Sequence, residues 1–99
     1  MSESTGAGYE LIPGVKLKEL PDLGYLLVFT PERPQIHWFN TKAWLILELC
    51  RHRPASELAE AYVEAVAGST GHEDAVREFQ DGLRALLAHQ VIRPVGPET

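Results

Sequence analysis

An α+β domain, with three short antiparallel strands ahead of three helices, is the fold class this chain predicts, and three observations carry it. Apolar residues alternate with polar ones in short runs as far as Phe39, then recur at steps of three and four. Turn formers punctuate only the first part at close intervals: Pro21, Asp22 and Gly24, then Pro31 and Pro34. The chain has 99 residues, 44% of them apolar and 23% charged, which is the size and composition of one ordinary globular domain.

Residues 1–13 open with MSESTGAG, which is small, polar and aperiodic, and predict a flexible tail. The domain is expected over 14–95 and a short C-terminal tail over 96–99. In VKLKEL, Val15 and Leu17 alternate with Lys16 and Lys18, the pattern of a half-exposed first strand. Residues 25–29, YLLVF, are rich in strand formers and predict a more deeply buried second strand. Residues 35–39, QIHWF, resume the alternation, with Ile36 and Trp38 on one side and Gln35 and His37 on the other. Short connections make the three a meander.

At Asn40 the period changes, and Asn is a strong N-cap because its side-chain oxygen accepts a free first-turn N–H. The first helix follows, apolar nearly all round at Ala43, Trp44, Leu45, Ile46, Leu47, Leu49 and Cys50, and is therefore expected at the centre of the domain. Pro54 fits the first position of a second helix whose stripe is Ala55, Leu58, Ala59, Tyr62 and Val66, ending at Gly68. Thr70-Gly71-His72-Glu73 reads as a capping box opening a third helix, with the stripe Val76, Phe79, Leu83, Leu86 and Leu87. The layout resembles a winged helix with its wing strands placed first.

Composition excludes several functions. The longest unbroken apolar runs, such as 43–47, are five residues, far short of the ~20 residues of a membrane span, and no export signal opens the chain. No membrane partner is expected. A lone Cys50 cannot form an internal disulfide and suits a reducing compartment, so the cytoplasm is the default. Nine basic against fourteen acidic residues give a net charge of −5, the wrong sign for a phosphate binder. The third helix adds Glu73, Asp74, Glu78 and Asp81 against only Arg77 and Arg84, so nucleic acid is not an expected partner.

Catalytic constellations are missing too. His37, His52, His72 and His89 share no ligand spacing, and Cys50-x-His52 supplies two of the three or four ligands a zinc site uses. None of the nucleotide-binding, metalloprotease or nucleophile-elbow motifs occurs. Glu57, Glu60 and Glu64 recur as the solvated face of an amphipathic helix. No catalytic residue, metal or cofactor is expected, and the chain reads as a non-enzyme. What stands out is the third strand, which has one neighbour and carries no charge at neutral pH when His37 is neutral. An extended peptide could add to it as a fourth strand, or Ile36, Trp38 and Phe39 could simply be core with residues 9–12 covering the edge.

At this point the chain resembles a known family over residues 14–93, the PqqD-like domains that recognise precursors of ribosomally made, modified peptides. Matching residues are Val15 and Leu17, Leu26 and Leu27, Pro31 and Glu32, Phe39-Asn40, Ala43 and Ile46-Leu47, then Leu49-Cys50, Glu57-Leu58, Leu83, Leu87 and Val91-Ile92. Departures fall at helix ends: Arg51-His52-Arg53 replaces an acidic-glycine turn, Pro54 a capping threonine, and Gln90 a glycine. The resemblance implies a non-catalytic adaptor that binds a precursor's leader segment and presents the rest to a modifying enzyme, often a radical S-adenosylmethionine protein. The leader would lie between the third strand and third helix, against Gln35, Ile36, His37, Trp38, Val76, Phe79, Gln80 and Leu83. Gly82 would keep part of that helix low for the peptide's approach. The alternative, from layout alone, is a winged-helix transcriptional regulator.

Overall fold

The structure is a computed structural model that describes residues 8–31 and 34–96. Eight elements follow one another: β1 (Gly8–Leu11), β2 (Lys16–Leu20), β3 (Tyr25–Thr30), β4 (Gln35–Phe39), α1 (Thr41–His52), α2 (Ala55–Ala65), α3 (His72–Ala88) and β5 (Ile92–Val95). The architecture is α+β, with three helices and two sheets. The expected meander forms an antiparallel sheet in the order β2-β3-β4. A second sheet, β1 with β5, joins the two ends of the chain, so the helices are not the last elements.

That second sheet corrects the predicted boundary at residue 14. From Gly8 the segment belongs to the domain: Tyr9 faces Pro94, Glu10 faces Arg93 and Leu11 faces Ile92 in an antiparallel register. Burial holds the pair, since Ile92 is 2% exposed, Tyr9 and Leu11 pack on the core, and Ile12 N–H donates to the Val91 carbonyl at 3.0 Å. Glu10 and Arg93 form a cross-strand ion pair on the exposed side. Residues 1–7 and 97–99, where the rest of the predicted tails falls, lie outside the described residues, as do Glu32 and Arg33 of the third turn.

Register decides which face of the larger sheet is inward. Leu26 and Val28 of β3 are fully buried, and opposite them on β4 stand Phe39 and His37. Lys16 pairs with Phe29, Lys18 with Leu27 and Leu20 with Tyr25, which places these residues with Ile36 and Trp38 on the other face. The alternative in which Ile36, Trp38 and Phe39 are all core therefore holds for Phe39 alone. Ile36 is 62% and Trp38 60% exposed, whereas Phe39 is buried. Both faces of QIHWF carry a large apolar residue, so alternation alone does not say which is inward.

α1 is the central helix, packed on β1, β3, β4, α2 and α3, with Ile46, Leu47 and Cys50 buried. Its start is as expected: the Asn40 side chain accepts the Ala43 N–H at 2.9 Å. Burial pushes the Cys50 thiol up to about 11. Pro54 stands at the N-cap of α2, one position before the expected one. The predicted capping box of α3 does not form. Gly71 is its N-cap, no side chain caps it, and Thr70 Oγ1 instead accepts from Lys42 Nζ at 3.4 Å.

The end of α3 explains the Gln90 departure. Val91 N–H bonds the Leu86 carbonyl at 3.0 Å and Gln90 N–H the Leu87 carbonyl at 3.1 Å, with Gln90 at φ 60. This is the Schellman motif, whose left-handed position favours glycine. Val91 and Leu86, both buried, supply its hydrophobic contact and set the chain on course for β5. Among the described residues no helix is long and apolar enough to cross a membrane.

Candidate functional site

β4 is an edge strand. Its inner neighbour is β3, and among the described residues no strand pairs with its other side, because β1 is taken by β5. The opposite edge of the sheet, β2, is the charged KLKEL run, a usual way to discourage pairing. QIHWF carries no such protection at neutral pH.

α3 packs on α1, α2 and β5 and stays more than 8 Å from β4, Cα to Cα. A strand added to β4 would sit ~4.8 Å beyond it. The rings of His37 and His89, the latter just beyond α3, lie 4.5 Å apart between centroids. His37 Nε2 is buried with no hydrogen-bond partner among the described residues. Burial first, and the nearby His89 second, hold the His37 imidazole below its ordinary value of 6.5.

The eight residues expected to meet a peptide are not brought together as one surface. Gln35 is exposed at the start of β4 and His37 is turned inward, while Ile36 and Trp38 project from the far face of the sheet. Phe79 is 5% exposed, its ring 6.0 Å from that of Tyr62, so it is part of the core and not a contact surface. Val76 and Gln80 line a shallow depression on α3's own flank with His72, Glu73 and Arg77. Leu83 is half-buried against the core. Gly82 is also reassigned. A Cβ built there would overlap Cδ1 of Ile46, so the low point of α3 receives α1 and not a peptide.

A polar cluster that the sequence reading missed ties the helices together. Lys42 Nζ reaches both oxygens of Glu78 at 3.1 and 3.2 Å, and Tyr62 Oη–H donates to Glu78 Oε1 at 2.9 Å. These contacts hold the Glu78 carboxyl below its ordinary value, Lys42 contributing most. Burial, then the Glu78 carboxylate, push the Tyr62 phenol up to about 12. With Asn40, Ala43, Ile46, Asp81 and Gly82 these groups line an open cavity of about 350 Å³ between α1 and α3. The partners are 16 and 36 positions apart in sequence, so no local pattern signals them.

Both arginines of α3 are paired to acids of the same helix. Arg77 bonds Asp74 at 3.0 Å and Arg84 bonds Asp81 at 3.1 Å, all on the exposed side. Among the described residues no three His, Cys, Asp or Glu side chains gather as a metal site would require. Comparisons of the chain with models of known families, with curated proteins and with solved structures find no match.

Proposed function

We propose that the chain is a non-catalytic, winged-helix-like adaptor that binds an extended segment, the leader of a ribosomally made precursor peptide, as a fourth strand along β4. The observation that carries this reading is the open, uncharged edge of β4, which among the described residues pairs with no strand on its outer side. Backbone pairing would supply affinity with little selectivity. Side-chain selectivity would come from groups beside that edge, such as the inward-facing His37. Phe79 takes no direct part, being core. A modifying enzyme, a radical S-adenosylmethionine protein in many systems of this kind, would act on the peptide so held. The DNA-binding alternative is disfavoured by α3, whose two arginines are both paired to acids on the same helix.

The test is a calorimetric titration with synthetic peptides copied from short open reading frames encoded beside this chain. One of them should bind. Alternate N–H groups of β4 point at β3 and at the open edge, so Ile36→Pro and His37→Pro should differ. One should keep its circular dichroism and lose the peptide; the other should damage the sheet. If both fold and bind like the parent, the edge is not the site. Tight duplex DNA binding that falls steeply with salt would promote the regulator instead.

A further inference from the structure

We propose that the outer face of the three-stranded sheet is a separate docking surface, and that it receives an amphipathic helix of a partner protein whose apolar stripe is bordered by acidic residues. Three cross-strand rows make up this face: Lys16–Phe29–Ile36, Lys18–Leu27–Trp38 and Leu20–Tyr25. α1 covers the opposite side, and among the described residues no element packs on the outer side. Ile36 is 62%, Trp38 60%, Tyr25 40% and Phe29 38% exposed, with Trp38 set edge-on to Tyr25 at 5.7 Å between centroids. Isolated exposed apolar residues are ordinary; four in adjacent rows, three of them aromatic, form a contiguous strip. Their exposed parts sum to roughly 400 Å², within the range at which a patch on a monomer is often functional.

The shape of the strip selects the occupant. Its apolar part spans two strands, β3 and β4, and is about 10 Å wide, the diameter of one helix. Strands of five and six residues are about 17–20 Å long, the length of a helix of about 11–13 residues. A second copy of the chain fits less well. A standard interface covers about 800 Å² on each partner, twice this strip, and two copies would each bring a net charge of −5.

Charge selects the border. Among the described residues of these strands, the charged side chains on the outer face are Lys16 and Lys18, side by side along β2, while Glu19 lies on the face that holds Leu26 and Phe39. In a chain with fourteen acidic and nine basic residues, a purely cationic margin beside an apolar strip is complementary to carboxylates flanking an apolar stripe. Lysines beside aromatics also suit anionic lipid, but the chain as a whole, at a net charge of −5, would be repelled by such a surface. The helix would not use the β4 backbone edge, so the site stands whether or not a peptide binds there.

The experiment titrates the full chain into two fluorescein-labelled, stapled helices of about 14 residues. They share a leucine stripe at i, i+3, i+4 and i+7 and differ in carrying Glu or Lys at its margins. The Glu helix should bind at least about tenfold more tightly, with a preference that weakens as salt is raised. Lys16→Glu with Lys18→Glu should reverse the preference, and Ile36→Ser with Trp38→Ser should abolish binding of both helices without loss of the cooperative melt. The exposed lysine pair keeps the test decisive if the serine variant does not fold. The proposal is overturned if the helices bind equally or not at all, or if binding survives the serine pair. It is equally overturned if the parent sediments as a dimer that Ile36→Ser dissociates, or if it binds phosphatidylglycerol vesicles in preference to the Glu helix. No precursor peptide is present, so failure of the β4 reading leaves these outcomes unchanged.

Discussion

The contact between Gly82 and Ile46 can be measured through a double-mutant cycle. Gly82 sits within α3, where Gly→Ala should add about 1 kcal/mol from helix propensity alone. Opposing this, the new Cβ overlaps Ile46 Cδ1, the tip of a side chain only 2% exposed and enclosed between α1 and α3. Overpacking a filled core costs about 1–3 kcal/mol, so Gly82→Ala should be neutral to about 2 kcal/mol destabilising. Ile46→Val removes the overlapping methyl itself, at about 0.5–1.5 kcal/mol. The other Ile46 atoms near that Cβ lie at 3.7 and 4.0 Å, which is ordinary contact. In the Ile46→Val background Gly82→Ala should therefore stabilise by about 1 kcal/mol, giving a coupling of about 1–3 kcal/mol between the sites. Urea unfolding followed at the helical circular dichroism band measures all four corners. A coupling within about 0.5 kcal/mol of zero would mean that α1 and α3 do not meet at this point.

Two further outcomes follow from particular conformations. Gln90 occupies the left-handed position of the Schellman motif, so Gln90→Gly should stabilise by about 1 kcal/mol, and Gln90→Val should destabilise, in the same urea assay. His37 has its folded pKa held below 6.5, so the unfolded chain takes up a proton first as pH falls. The corresponding stability is fully present above that value and is lost as pH drops towards the depressed one. The urea midpoint should fall between about pH 7.5 and 5.5, and His37→Gln should flatten that fall, an unchanged slope being the contrary result.

Most of the elements were legible in the sequence because their signals are local. Asn40 caps α1 through a bond to a residue three positions on, and the four-residue steps of Leu58, Tyr62 and Val66 and the seven-residue step from Phe79 to Leu86 mark the buried stripes of α2 and α3. The strands β2, β3 and β4 were similarly set by residues between their own turns. Thr70 looked equally local and was not, because Lys42, from another helix, holds its hydroxyl. β1 and β5 were invisible for a related reason. Each is four residues long, one holds Gly8 and the other Pro94, and they form only when the chain ends meet across the domain. Tertiary structure alone decided which side of β4 faces inward. Alternation divides QIHWF into two faces, each with a large apolar residue, and hydrophobicity does not rank Ile36 with Trp38 below Phe39. The hairpin register does: it sets Phe39 against buried Leu26 and His37 against buried Val28, and so turns Ile36 and Trp38 outward, into the surface assigned here to a partner helix.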